Sequence, residues 1–439
     1  VSTLDNVDRK TIKKRIIEVW EHAGFQKYFK NTGWFFLSKI SSMVLSFVST
    51  VFMVRYFLPE QYGLLNYAIS YVGLFSFIST LGLDSVLYRD LVKEPEKKEV
   101  FFGSALVIRL VGAALGFLFI ASSLFIFPSN TDAFYIILII AGIYFFQPFS
   151  IASLYFQAKV NSKIIAIYGF VVTAILSLLK ILFVFLHISV IGFALIFLVE
   201  PILFGLAYCF AYYLAGESLM KWKYSFDIVK RLLNDAWPLM FSGAFAVIYM
   251  RIDQVMLKHY LDNYAVGIYS VAAQLSEYWY IFPLIIVNSL VPAIVNARTA
   301  GEEVYKRRKA YLFKLIIGIS VFIALIFTVF ADFFIRVIYG ANYLGAVGVL
   351  RIYVWGGLGM SLGLVVNQLF IVENRTKMYF VANFLSMLVN VILNIVMIPK
   401  FGMSGAAFAT LIAYSFIPMP YFIFKSKSKG NITVYEAVS

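Results

Sequence analysis

The chain has 439 residues, of which 62% are hydrophobic, 18% aromatic and 14% charged, with a formal net charge of +14. Soluble domains carry about 25% charged and about 45–50% apolar residues, so an apolar excess spread over the whole chain marks an integral membrane protein. A single cysteine, Cys209, excludes an internal disulfide or thiolate cluster, and three scattered histidines (His22, His187, His259) argue against a metal hydrolase or a redox centre.

In chain order, the first element expected is an amphipathic helix over Asp8–Gly24. Ile12, Ile16, Val19, Trp20 and Ala23 recur at helical spacing, Asp8 caps the start and Gly24 the end. Its basic residues suit a helix lying on an anionic leaflet. No signal-peptide pattern precedes the first apolar run, which is too long for a signal h-region. Six spans follow at 31–57, 62–83, 101–127, 132–157, 164–187 and 189–215, and six more at 237–259, 265–297, 309–330, 345–372, 377–398 and 402–424. The expected organisation is an N-terminal helix (1–30), a first lobe (31–215), a basic linker (216–236), a second lobe (237–425) and a tail (426–439).

Charge placement fixes the expected orientation. Of the 37 Lys and Arg residues, 27 fall in the tails and alternate loops on one side, and only Lys258, Arg336 and Lys400 lie in the opposite loops. Such a split follows the positive-inside rule for an even number of spans with both termini cytoplasmic. The basic charge is therefore a topology signal and calls for no nucleic acid.

The chain also echoes itself. Met53–Leu58 followed by Tyr62–Ala68 resembles Met256–Leu261 followed by Val266–Ala272, at offsets of 203 and then 204. His187–Ala194 resembles Lys400–Ala407 at an offset of 213. Two echoes in the same order imply a six-plus-six duplication. Because six is even, the halves share one orientation and are expected to be related by a pseudo-twofold along the membrane normal. The fold class expected is all-α, with twelve transmembrane helices in two six-helix lobes.

Three stretches carry a family resemblance: Asn31–Ile40, Arg55–Ala68 and Leu81–Ser85, with Arg251–Leu257 in the seventh span. They resemble the Wzx-type polysaccharide flippases, which translocate O-antigen and capsule units, in the multidrug/oligosaccharidyl-lipid/polysaccharide exporter superfamily. The resemblance covers residues 31–425. It implies the fold shared with multidrug and toxin extrusion antiporters and lipid II flippases. It also implies movement of an undecaprenyl-diphosphate-linked oligosaccharide from the cytoplasmic to the outer leaflet of a bacterial or archaeal cytoplasmic membrane. No enzyme activity and no cofactor are implied. The partners expected are the polyprenyl-diphosphate oligosaccharide, membrane lipid, a proton or sodium counter-ion and a polysaccharide polymerase, with the chain itself a monomer.

A diphosphate and sugars crossing about 30 Å of hydrocarbon need a hydrated groove with fixed positive charge. Lys39, Arg109 and Lys180 lie well inside their spans and are the candidate diphosphate ligands. Arg55, Lys314 and Arg351 read as snorkelling anchors. Polar stripes supply the candidate sugar contacts: Ser42 and Ser46 beside Lys39, Asn66 on the second span, Gln274 on the eighth, and Asn383, Asn390 and Asn394 on the eleventh. Small polar residues also glue membrane helices together, which is the competing account of the serines. Glu277 and Asp253 are the candidates for ion coupling, Asp253 having a structural role as its alternative.

Two other classes compete. A multidrug antiporter of the same fold would need mid-membrane carboxylates for organic cations, whereas seven basic residues against three acids favour an anionic cargo. A membrane polymerase or ligase would need a long outer loop bearing catalytic residues, and the longest candidate is only about 331–345.

Overall fold

The computed structural model describes residues 23–126, 131–297, 301–373 and 375–423. Among them every regular element is helical. The first part of the chain forms α1 (Ala23–Tyr56), α2 (Pro59–Leu74), α3 (Leu83–Lys93), α4 (Lys98–Ile126), α5 (Thr131–Ala141), α6 (Ser153–Ala158), α7 (Ser162–Phe185) and α8 (Val190–Leu214). There follow α9 (Phe226–Tyr260), α10 (Asn263–Tyr278), α11 (Ile281–Ala297), α12 (Glu302–Val329), α13 (Ala346–Val372) and α14 (Thr376–Phe416). The expected amphipathic helix lies outside the described residues except for Ala23 and Gly24, which begin α1. The tail 426–439 lies outside them as well.

Ten helices among the described residues are long and apolar enough to cross a membrane, or eleven when the bent pair Pro59–Leu74 and Ser76–Lys93 counts as one span. A further crossing is contained in α14. Straight, its 41 residues would run about 60 Å, twice the hydrocarbon thickness of about 30 Å. The helix breaks at Gly402 (φ 58°, ψ −137°). Beyond it, a Cβ on Gly405 would stand 2.2 Å from the Met397 carbonyl oxygen. Residues eight apart in a continuous helix are separated by about 12 Å, so the chain folds back on itself here. Pro399, which cannot continue an i→i−4 ladder, adds to the break.

The chain divides into two compact units: residues up to Tyr56 with Ser76–Met240, and Phe57–Phe75 with the residues from Phe241 on. The sequence-based lobes put all of the second span in the first half, whereas α2 packs within the second unit, on α10. Backbone proximity is the reason. A Cβ on Gly63 would come 1.8 Å from the Asn263 carbonyl oxygen, and one on Gly267 would come 2.0 Å from that of Pro59. Only glycine lets two helices approach so closely.

Both helices start at defined caps. Gln61 Oε1 accepts the Leu58 N–H at 3.1 Å with Pro59 in the first turn, and Asp262 Oδ1 accepts the Ala265 N–H at 2.8 Å.

In the first unit the connector after α8 is strapped down. Lys223 N–H donates to Glu99 O (3.0 Å), Ser225 N–H donates to Ser104 Oγ (3.1 Å), and Trp222 stacks on Phe102 with centroids 5.0 Å apart. Lys98 pairs with Glu217, which also accepts from Tyr155 at 2.8 Å. Further on, Arg231 reaches Glu94 at 2.8 Å and Arg89 reaches Asp235 at 2.5 Å. Residues 216–236, expected as a linker, thus belong to the packing of the first unit.

Candidate functional site

The bend after α2 divides the second span expected from the sequence. Asn66 and Ser70 stay with the second unit, while Thr80 and Asp84 join the first. The turn requires Gly82, whose φ of 65° is left-handed and whose Cβ would stand 2.6 Å from Met240 N. It delivers Asp84 to the first turn of α3, where Arg109 of α4 reaches its carboxylate at 2.5 Å. The pair is asymmetric: the Arg109 side chain is 4% exposed and that of Asp84 62%. An exposed carboxylate inside a span calls for water or a partner. Asp84 borders a cavity of about 340 Å³ whose other walls include Ser85, Tyr88, Ser150, Ser153 and Gln157. Hydroxyls, an amide, a phenol and a carboxylate around one concavity are the groups that hydrogen-bond sugar hydroxyls. Arg109 Nε is buried without a hydrogen-bond partner.

The three cations expected to hold a diphosphate occupy different surroundings. Lys39 is exposed on α1. Arg109 is ion-paired with Asp84. Lys180 is 9% exposed, with its ammonium 5.3 Å from the centre of the Phe197 ring, a cation–π contact between α7 and α8. Ser42 and Ser46 are half-buried on α1; farther along the same helix Ser49 Oγ lies 3.4 Å from Ser177 Oγ of α7, so that end of the stripe joins helices.

In the second unit two of the three eleventh-span amides, Asn390 and Asn394, gather around an acid. Asp253 is 1% exposed and accepts from Tyr269 OH (2.5 Å), Asn394 Nδ2 (2.5 Å) and Thr410 Oγ1. Asn394 also donates to Asn390 Oδ1 at 3.2 Å, while Asn394 Oδ1 is buried without a hydrogen-bond partner. Asn383 accepts from Tyr249 OH at 3.4 Å. Asn390 and Asn394 therefore lie in the interior serving Asp253, rather than on an open wall facing sugars. Among the described residues no basic side chain pairs with Asp253.

Glu277 differs. Arg251 approaches it at 3.7 Å and Tyr353 OH donates to it at 3.2 Å. The two-residue spacing of Arg251 and Asp253 sends them to different partners. Gln274 accepts from Tyr62 OH at 2.9 Å, and Asn66 donates to the Tyr62 backbone at 2.8 Å, so both are engaged beside α2.

Sequence reasoning missed Tyr269 and Thr410 as Asp253 partners. The only signal was negative: an acid deep in a span needs donors, and nothing local identified them.

These features define a class: a multi-pass, all-helical membrane protein with the fold of multidrug and lipid transporters. Over 88% of the chain it superposes, with a TM-score of 0.68 and 14% identity, on 96% of an inward-facing multidrug resistance transporter. Over 89% it superposes on 87% of a lipid II flippase in its inward closed conformation, with a TM-score of 0.68 and 18% identity. Residues 28–298 match the polysaccharide biosynthesis protein family, and the chain belongs to it. Residues 238–396 also match the MatE family. A capsular polysaccharide biosynthesis protein of Staphylococcus aureus, CapF, is 23% identical over 411 residues, covering 90% of this chain and 98% of that protein.

Proposed function

We propose that the chain is a flippase that carries a polyprenyl-diphosphate-linked oligosaccharide from the cytoplasmic to the outer leaflet by alternating access, driven by a coupled cation. The carrying observation is the polar cavity beside the Arg109–Asp84 pair. A concavity rich in hydroxyl, amide and carboxylate groups, whose carboxylate is paired with a buried guanidinium behind it, suits a sugar joined to a diphosphate. Family membership supports the same cargo. Lys39, exposed on α1, is kept as the candidate diphosphate ligand of the first span, and Lys180 is assigned to packing.

Coupling is assigned to Asp253 in preference to Glu277. A buried carboxylate with only neutral donors favours uptake of a proton or a small cation, whereas Glu277 already has Arg251. A multidrug antiporter is the second reading, favoured by the MatE match. Against it, the one acid on the polar cavity is neutralised by Arg109. Thermal shift of the purified protein separates them. Polyprenyl-diphosphate saccharides should raise the melting temperature of the wild type and not of Arg109→Gln, whereas stabilisation by organic cations alone would favour the antiporter.

A further inference from the structure

The end of α11 and the start of α12 enclose a cavity of about 510 Å³ in the second unit that no transport role absorbs. Its apolar wall is formed by Leu290 and Ala293 of α11 and Val304 of α12, over the buried Ile294 and Leu312, and its polar rim is Arg307, Arg308 and Tyr311. Arg308 donates to the Ala293 carbonyl at 2.7 Å, which fixes its guanidinium across the two helices and leaves other N–H donors free. Arg307 is exposed and makes no ion pair or hydrogen bond among the described residues; the nearby Glu302 is taken by Lys306 at 3.6 Å. Tyr311 is 63% exposed on the same helix, the position an amphipathic ring takes at a membrane–water boundary.

An apolar trough ending in two guanidinium groups fits an amphiphile with an anionic head. A soluble anion would gain nothing from the trough, and a neutral lipid nothing from the arginines. The size lies within the range of small-molecule sites, and basic pockets between transmembrane helices bind anionic headgroups. Apart from the Tyr311 phenol, the lining offers no side-chain hydroxyl, amide or carboxylate that would recognise a sugar. That distinguishes it from the cavity beside Asp84 and points to an ordinary phospholipid rather than the lipid-linked cargo.

We propose that the cavity between α11 and α12 binds an anionic phospholipid of the leaflet at the basic face, with its phosphate on Arg307 and Arg308 and an acyl chain along Leu290, Ala293 and Val304. The site does not depend on which cargo is carried.

Native mass spectrometry of the full chain, released from micelles containing either phosphatidylglycerol or phosphatidylcholine, tests this. Wild type should retain a phosphatidylglycerol adduct and no phosphatidylcholine adduct. Arg307→Gln removes a side chain without protein partners and should weaken the adduct about fivefold, the effect of one basic residue near an anionic surface. Ala293→Trp, at an exposed position of the wall, fills the trough with both arginines intact and should abolish the adduct. Undiminished phosphatidylglycerol binding in both variants overturns the site. Displacement of the adduct by a polyprenyl-diphosphate saccharide at a lower concentration than phosphatidylglycerol overturns the choice of occupant and returns the cavity to the cargo.

Discussion

Gly63 and Gly267 meet backbone to backbone, and they are the same position in the internal echo of the sequence. A Cβ on Gly63 would collide with Asn263 O, and a Cβ on Gly267 with Pro59 O. Pro59 and Asn263 are themselves 204 residues apart, as are the two glycines and the capped starts Leu58 and Asp262. A contact in which residue i meets j while the equivalent of i meets the equivalent of j is the mark of a local twofold. The duplication is therefore written into the packing of α2 on α10.

Alanine at either glycine should lower stability. The atoms a Cβ would meet belong to the opposing backbone, which cannot rotate away, so Gly63→Ala and Gly267→Ala should each cost about 1–3 kcal/mol. Melting of the purified variants in detergent measures this. A midpoint unchanged in both would mean the helices are not held at this distance.

Removing the two partners of the Arg109–Asp84 pair should have unequal effects. Asp84→Asn leaves a buried guanidinium without its counter-charge, whereas Arg109→Gln leaves a carboxylate that is 62% exposed to solvate. Losing one partner of a fully buried pair costs about 3–5 kcal/mol, and exposure on the Asp84 side reduces this to about 1–2 kcal/mol for Asp84→Asn. The double variant should recover part of that loss. Equal destabilisation by both single variants, with no coupling in the cycle, would contradict the pairing.

At Asp253 the expected signature is loss of ion dependence without loss of fold. Asp253→Asn keeps the shape and removes an uncompensated charge, so the protein should melt no lower than wild type while transport ceases to respond to an imposed proton or sodium gradient. Thr410→Val removes one donor and should weaken coupling, with a stability cost of about 1–3 kcal/mol. Gradient-driven transport that survives Asp253→Asn and fails in Glu277→Gln would move the coupling site to Glu277.

The fold was legible because its signals are global. Apolar run lengths indicated twelve spans, of which ten or eleven qualify among the described residues, and the one-sided Lys and Arg set the expected orientation. Gly402 marked the reversal inside α14, where a gap between the eleventh and twelfth spans was expected. Side-chain partners were much less legible. Asn383, Asn390 and Asn394 share one helical face, but whether that face meets water or an acid depends on α9, which is distant in sequence. Lys180 and Arg109 look alike as isolated basic residues within spans, and only the neighbouring helix makes one a ring contact and the other an ion pair. The assignment of α2 escaped because proximity to its echo at α10 outweighs chain order.

Acid should loosen the strap that holds the connector to the first unit. At Glu94, hydrogen bonds from Lys97 and then Arg231 hold the pKa down at about 2. Burial works to raise that of Glu217, but the hydrogen bonds from Lys98 and Tyr155 leave it lowered on balance. A carboxylate depressed in the folded state contributes stability that is present above its unfolded pKa and is lost as the pH falls through the folded one. Melting temperature should therefore drop between about pH 5 and pH 2. A Glu94→Gln/Glu217→Gln variant should start lower at pH 7 and lose less on acidification. An identical pH profile in the variant would mean that these pairs do not bear on folding.

Transport itself decides the central claim. The purified chain is reconstituted into proteoliposomes with a fluorescent polyprenyl-diphosphate saccharide, and arrival in the opposite leaflet is followed by an impermeant quencher. The account predicts transfer of the saccharide lipid that exceeds that of empty liposomes, is reduced by Lys39→Ala and by Arg109→Gln, and leaves an organic cation such as rhodamine 6G unmoved. Transfer of the organic cation with no movement of the saccharide lipid would contradict it.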